Sequence, residues 1–234
     1  MAAVSAASYA SGGVAPGEIV TIFGNNLGPE TPVMLQLDGL GKVRTELAGT
    51  RILFDGVAAP LVTVQARQSS AVVPYSVAGR TSTVMRVERQ GPQSPGLLIP
   101  VVASAPGVFT ADMSGRGQGA ILNEDGVTLN SRENPAPRGS IVVLYATGGG
   151  QTVPSGQDGT VPVSVLPKPE LPVYVTIGGA SADVLYAGAA PYFVSGALQI
   201  NVRVPRNIDP GDHVPVVLTI GRNPSLPAVT LAVR

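Results

Sequence analysis

The sequence predicts an all-β protein made of two tandem immunoglobulin-like β-sandwiches that are joined by a connector containing a hairpin. Three observations support this fold class: short apolar runs, turn residues between them, and a set of segments that recurs in the same order. Gly (29) and Pro (22) together exceed a fifth of the 234 residues, and they fall between the apolar runs. This composition favours short strands joined by turns and leaves little room for long helices.

The strand pattern is most regular between Gly196 and Ile220. From Leu198 the even positions are apolar and the odd positions polar, and a second alternating run extends from Val214 to Ile220. A period of two is typical of a strand with one buried face. Because proline and glycine residues between 205 and 211 favour a turn, we expect these two runs to pair as a β-hairpin whose apolar face is covered by a second sheet.

Several segments of the first half of the chain recur in the second half. The matched pairs are Gly17 with Gly139, Gly56 with Gly179, and Ala71–Pro74 with Val202–Pro205, at offsets of 122, 123 and 131 residues. Three matches in the same order at nearly the same spacing indicate a tandem duplication. The larger third offset comes from a longer loop between Tyr186 and Ser195 in the second copy.

The duplication sets the expected boundaries. We expect an N-terminal arm at 1–13, a first sandwich at 14–103, a connector at 104–134 and a second sandwich at 135–234. Seven short strands are predicted in each copy, which is the count of an immunoglobulin-like sandwich. They span 18–23, 33–37, 51–54, 57–64, 70–73, 82–88 and 97–102 in the first copy, and 140–146, 161–166, 173–177, 181–186, 197–204, 213–220 and 227–233 in the second.

The sequence also makes specific structural predictions for two further segments. The run 97–102 contains Pro100, which cannot donate to a ladder, so it is predicted to be an edge strand. In the connector, Asp125-Gly126 separates two apolar pairs, which predicts a hairpin that packs on one or both sandwiches.

Composition and charge exclude several classes of partner and chemistry. The chain has 15 basic and 15 acidic residues without a basic cluster, so we expect no nucleic-acid partner. It has no cysteine, which excludes disulfides and thiol chemistry. No apolar stretch reaches 18 residues, so no membrane insertion is expected. The first 13 residues lack the pattern of a signal peptide, so we expect an export signal to lie upstream.

Other segments point to a family. Ala15–Leu27, followed by Phe54–Pro60 and a strand ending in Val73-Pro74, resembles the IPT/TIG immunoglobulin-like domains. A longer set is similar to the C-terminal tandem domain of many large exported acidobacterial proteins: Ser5–Tyr9, Val73–Gly79, Ala103–Thr110 and Gln199–Pro205. This resemblance implies a secreted or cell-surface pair of β-sandwiches, attached to other modules upstream, with no catalytic residues to carry over.

No catalytic, metal or cofactor site is expected. His213 is the only histidine, and its neighbour Asp212 points to the opposite face of a strand. There is no G-x-S-x-G segment to present a serine nucleophile. Most aspartates stand beside Gly or Pro, where they serve turns. An enzyme that used carboxylates would need two or more of them within about 5–10 Å in a cleft.

The residues that we expect to contact a ligand or partner are Tyr186, Tyr192 and Phe193, which lie in the 186–195 insertion. Exposed aromatic side chains on sandwich loops stack on sugars or anchor proteins. Alternatively, Tyr192 and Phe193 plug the end of a sandwich or the contact between the two. The arm that carries Tyr9 could add a strand to the sheet edge of a neighbouring molecule.

Taken together, these features predict a non-catalytic extracellular module for structure, adhesion or assembly, forming the C-terminal part of a larger exported protein. Its expected partners are further copies of itself, neighbouring surface proteins or glycans. The alternative function is a carbohydrate-binding module that uses the aromatic loop 186–195.

Overall fold

The computed structural model describes residues 1–234 and consists of β-strands connected by turns and loops. Its one helical element is a short 3₁₀ turn at Tyr75–Val77, and no helix is long and apolar enough to cross a bilayer. The strands form several antiparallel sheets, as in a β-sandwich. The predicted all-β fold class is therefore confirmed.

The N-terminal half of the chain (residues 1–103) has nine strands in two sheets. They are β1 (Ala2–Ser5), β2 (Ile19–Phe23), β3 (Val33–Met34), β4 (Thr50–Phe54), β5 (Val57–Ala58), β6 (Leu61–Val64), β7 (Gln68–Val72), β8 (Ser82–Arg89) and β9 (Leu97–Pro100). One sheet has the order β1-β2-β7-β6-β3 and the other β5-β4-β8-β9. Ile22 and Leu61 from the first sheet share a core of 16 buried residues with Phe54 and Met85 from the second.

The C-terminal half (residues 104–234) has twelve strands. They are β10 (Gly107–Val108), β11 (Gly117–Gln118), β12 (Ile121–Leu122), β13 (Ile141–Thr147), β14 (Thr152–Val153), β15 (Lys168–Pro169), β16 (Val173–Ile177), β17 (Ala180–Ala189), β18 (Leu198–Arg203), β19 (Gly211–Ile220), β20 (Asn223–Pro224) and β21 (Val229–Val233). The long β17 pairs with β16 at one end and with β18 at the other, and its register shifts between Val184 and Tyr186. It thus links two groups of strands around a core of 21 buried residues.

The hairpin predicted between 198–204 and 213–220 is wrong. β18 pairs with β13 and β17, whereas β19 pairs with β16 and β21. The alternation itself was correct, because Ile200, Val202, Val216 and Leu218 are all buried in the same core. Two strands that each have one apolar face can pair side by side in one sheet or pack face to face from two sheets. The period-two pattern does not distinguish these arrangements.

The strand predicted at 161–166 is also absent. This segment is a loop in which Val163 and Val165 are exposed. Pro162 and Pro167 have no N–H to donate, so a sheet ladder through this segment would be interrupted. By contrast, β9, which contains Pro100, lies at the edge of its sheet as proline requires.

The arm and the connector both join sheets of this chain. In the arm, β1 pairs antiparallel with β2 and becomes the outer strand of the sheet. In the connector, β12 pairs with β13, and Leu122 forms a bridge to Leu129 around the turn at Asp125-Gly126. Ile121 is fully buried in the core of the C-terminal half, so this part of the connector is packed as firmly as the strands around it.

The two halves contain a strand pair with the same register. The β2–β7 ladder runs from Ile19↔Val72 to Phe23↔Gln68, and the β13–β18 ladder runs from Ile141↔Arg203 to Ala146↔Leu198. Adding 122 to each β2 residue number and 131 to each β7 residue number turns every pair of the first ladder into a pair of the second. The preceding turns match as well, because the N–H of Gly17 donates to the Val73 carbonyl (2.9 Å) and that of Gly139 donates to the Val204 carbonyl (2.8 Å).

The matched glycines allow a controlled test of close packing. Gly17 and Gly139 both have positive φ (72° and 88°), so alanine at either site costs about 1–2 kcal/mol. A Cβ on Gly17 would also lie 2.6 Å from the ring of Tyr75, whereas one on Gly139 would meet only the flexible Arg206 side chain at 3.0 Å. We therefore predict that Gly17→Ala lowers the free energy of unfolding by about 1–3 kcal/mol more than Gly139→Ala. Urea denaturation followed by circular dichroism measures this difference, and equal losses would contradict it.

Candidate functional site

The contact between the two halves, which we call the seam, has its own apolar cluster. Ile19, Val43 and Val72 from the N-terminal half are buried against Ala190, Val194 and Ala197 from the C-terminal half; Ala190, Val194 and Ala197 lie in and beside the 186–195 insertion. The seam therefore excludes water along part of its length.

A threonine hydroxyl on β13 joins this cluster to the backbone of both halves. Thr147 Oγ1 accepts a hydrogen bond from the Ile19 N–H (2.8 Å) and donates one to the Gly196 carbonyl (2.9 Å). Thr147 is fully buried. Both polar backbone groups would be left without these partners if the hydroxyl were removed.

Tyr75 makes the second set of polar contacts across the seam. Its hydroxyl forms a hydrogen bond with Ser195 Oγ (3.1 Å), and its backbone N–H donates to Asp158 Oδ1 (2.9 Å). The Gln151 side chain donates to the Tyr75 carbonyl (3.2 Å). These bonds connect Tyr75 to three separate segments of the C-terminal half.

Glycine is required at a point where the backbones of the two halves approach closely. A Cβ on Gly196 would lie 2.1 Å from the Gly17 carbonyl oxygen. The φ of Gly196 is also positive, at 111°. Any other residue at this position would force the two halves apart.

An apolar groove opens at the seam, and we call it the seam groove. Its volume is about 550 Å³, and all twelve residues that line it are hydrophobic. They are Ile19, Leu35, Leu37 and Val62 from the N-terminal half, and Phe109, Ala120, Tyr145, Val161, Tyr192, Phe193, Val194 and Ala197 from the C-terminal half. Both halves are therefore needed to form its walls.

Two of the three aromatic residues predicted as contact residues, Tyr192 and Phe193, lie in this groove. Tyr192 and Phe193 are 75% and 52% exposed, and the Phe193 ring packs on that of Tyr145 with centroids 5.7 Å apart. Tyr186 lies outside the groove on β17, where its hydroxyl donates to the Ala189 carbonyl (2.8 Å). Tyr9 is also elsewhere, with its ring 6.2 Å from that of Phe23. The structure thus separates the pair in the groove from Tyr186 and Tyr9.

Tyr192 has an unusual backbone conformation. Its φ is 66°, in the left-handed region that glycine adopts more easily than other residues. The loop is held there because the Tyr192 N–H donates to the Pro162 carbonyl (2.9 Å) and the Ser195 N–H donates to the Thr160 carbonyl (2.8 Å). The phenol ring is therefore presented to solvent on a fixed backbone.

The remaining walls of the groove were not identified from the sequence. Leu35, Phe109 and Val161 come from three segments far apart in the chain, and each was assigned to a strand or to the connector. The one feature of the sequence that points to some of these walls is aromatic content. Phe109 and Tyr145 are two of only ten Phe and Tyr residues in the chain.

Several carboxylates are engaged in structural hydrogen bonds. Backbone N–H groups of Lys42 and Leu40 donate to Asp38 and hold the pKa of its carboxyl below the usual value. Hydrogen bonds from Thr128 and Val127 lower the pKa of Asp125 in the same way. His213 is exposed on β19, and no three His, Asp or Glu side chains lie close enough together to hold a metal ion.

Glu18 differs from the other acidic residues because it is buried. Glu18 is only 1% exposed, and its Oε2 accepts a hydrogen bond from the Ala15 N–H (2.9 Å). Burial raises the pKa of this carboxyl to about 8. Glu18 borders a cavity of about 150 Å³ between the arm, the connector and Asn223. The carboxyl is therefore protonated at neutral pH.

Comparison of the chain with models of known protein families finds no match, and comparison with curated proteins finds none. A function has therefore to be inferred from the seam and its groove.

The buried carboxyl predicts a specific dependence of stability on pH. Because the pKa of Glu18 is about 8 in the folded protein and near 4.5 in the unfolded chain, unfolding releases a proton between these values. The contribution of Glu18 to stability is thus complete below about pH 4.5. It decreases by up to about 1.4 kcal/mol per pH unit as the pH rises towards 8.

We predict that Glu18→Gln removes this decrease, so that the variant gains stability relative to the wild type between pH 5 and 8. Urea denaturation at several pH values measures the difference. Glu124→Gln makes the same chemical change at an exposed position and should follow the wild-type profile. A constant difference between wild type and Glu18→Gln across this range would show that Glu18 is not protonated in the folded protein.

Proposed function

We propose that this protein is a non-catalytic structural module in which two immunoglobulin-like β-sandwiches, related by duplication, are held at a fixed relative orientation. The observation that carries the proposal is the seam. Thr147 hydrogen-bonds to the backbone of both halves, and Gly196 allows those backbones to approach within van der Waals contact. A flexible pair of domains does not need such contacts.

The matched ladders support the duplication. A strand pair with one register in both halves, preceded in each by a glycine at positive φ, is what two copies of one ancestral unit would retain. Each copy also encloses a separate apolar core. Two such cores are expected of two sandwiches that each bury their own inner faces.

The distribution of acidic groups supports a non-catalytic role. Asp38 and Asp125 hydrogen-bond to turn backbone, and Asp158 hydrogen-bonds to Tyr75 across the seam. Carboxylates in these roles stabilise turns and the contact between the halves.

A fixed pair of sandwiches suits a spacer or assembly unit of an exported protein. The residues that resemble IPT/TIG and acidobacterial surface domains support a secreted or cell-surface location, with this segment at the C-terminal end of a larger chain. Assembly through the arm has less support, because β1 already pairs with β2 of its own chain and would have to leave it.

The carbohydrate-binding alternative has little support at the seam groove. Sugar recognition needs polar groups that bond to hydroxyls beside the aromatic rings that stack on the sugar. Of the twelve residues that line the groove, only Tyr145 and Tyr192 carry a polar side-chain group, and none is charged. Tyr192 and Phe193 therefore lie in a site that favours an apolar ligand over a glycan.

The fixed orientation is tested by residual dipolar couplings measured separately for residues 14–103 and 135–234. We predict that one alignment tensor fits both sets in the wild type. Thr147→Val, which leaves the Ile19 N–H and the Gly196 carbonyl without their partner, should lower the free energy of unfolding by about 1–3 kcal/mol and make the two tensors differ.

Thr147→Ser is the matched control, because it retains the hydroxyl and should retain a single tensor. Two different tensors in the wild type would refute the proposal of a fixed pair.

A further inference from the structure

The seam groove has the size and lining of a ligand site. Its geometry also restricts the chemical class of ligand that it can bind. We propose that it binds one neutral hydrocarbon chain, such as the tail of an amphiphile, with the polar end of the ligand left in solvent. This binding activity goes beyond the proposed structural role, and it rests on the fixed orientation because both halves form the walls of the groove.

The size of the groove favours a small molecule over a protein. Its volume of about 550 Å³ lies within the range of about 300–1,000 Å³ that is usual for ligand pockets. A stable protein interface needs about 20–30 residues on each side, whereas twelve residues line the groove. A second copy of this chain would have to bury much more surface than the groove offers.

The lining favours a hydrocarbon over a peptide or a sugar. Buried amides and hydroxyls need hydrogen-bond partners, and the side chains that line the groove offer only the hydroxyls of Tyr145 and Tyr192 and no charged group. A chain of methylene groups has no such requirement, and its transfer from water into an apolar site is favourable.

Other cavities along the seam have a different character. One contains Arg80 and Glu170, a second contains several charged residues around Lys42 and Asp158, and a third contains Glu18. Charged and ionisable groups are therefore common where the two halves meet. Their absence from the seam groove indicates that a neutral ligand is suited to it.

The groove has a buried floor and an exposed rim. Ile19, Val194 and Ala197 on the floor are 8% exposed or less and continue into the apolar cluster of the seam. Leu37 and Tyr192 on the rim are 48% and 75% exposed. A linear ligand would thus bury its tail on the floor and leave its other end near the rim.

The exposed ring of Tyr192 also suits this ligand. It is 75% exposed and buries little surface within this chain. The ring is therefore free to cover a bound hydrocarbon chain.

Binding can be measured with the neutral fluorescent probe N-phenyl-1-naphthylamine. We expect a saturable increase in fluorescence with one site per chain, and displacement of the probe by 1-hexanol, 1-octanol and 1-decanol. The dissociation constant of the alcohols should fall about three- to fourfold for each added methylene, as expected for burial of a CH₂ group.

Two variants with a matched control locate the site. Leu37→Lys places a charge on the rim and should weaken binding of the probe and of 1-decanol at least tenfold. Leu40→Lys makes the same change at a residue that is 87% exposed and outside the groove, and it should leave binding unchanged. Tyr192→Gly should weaken binding while the free energy of unfolding stays the same or rises, because glycine relieves the positive φ.

Several results would overturn the proposal. These are the absence of saturable binding in the wild type, affinities that do not depend on alcohol chain length, and equal effects of Leu37→Lys and Leu40→Lys. A wild-type dimer in light scattering that Leu37→Lys converts to a monomer would assign the groove to a second copy. The dipolar-coupling test uses no ligand, so a single alignment tensor without saturable binding would refute the ligand site alone, whereas two different tensors would refute the fixed orientation.

Discussion

The buried hydroxyl of Thr147 is the contact on which the arrangement of the two halves depends. It uses its acceptor for the Ile19 N–H and its donor for the Gly196 carbonyl. Each hydrogen bond contributes only about 1 kcal/mol net, but a buried group that loses its partner costs about 1–3 kcal/mol. The seam is therefore more costly to open than its few contacts suggest. Because the walls of the groove come from both sides of the seam, any opening would also remove the groove.

Features of the fold that depend on local chemistry could be predicted from the sequence. The alternation around Ile200 and Val216 identified the buried faces, since side chains on a strand alternate between two sides. The spacing of Gly17 and Gly139 identified two copies whose ladders share a register. Strand partners could not be predicted, because two amphipathic strands form a core equally well side by side or face to face. The hairpin error at 205–210 comes from this ambiguity.

The site was predictable only in part, for a related reason. Tyr192 and Phe193 could be identified because they lie together in an insertion that is rich in aromatic residues. Leu35 and Val161 are unremarkable aliphatic residues in their own segments, and their role appears only when the two halves meet. The burial of Glu18 could not be predicted from the sequence either. Nothing in its neighbouring residues indicates burial, which results from the arm and the connector closing over it.

The position of the groove follows from a difference in loop length between the two halves. β6 and β7 are joined by residues 65–67, whereas their counterparts β17 and β18 are joined by residues 190–197. The longer loop supplies Tyr192, Phe193 and Val194 to the groove and Gly196 to the seam. The same loop therefore contributes both to the walls of the groove and to the contact between the two halves.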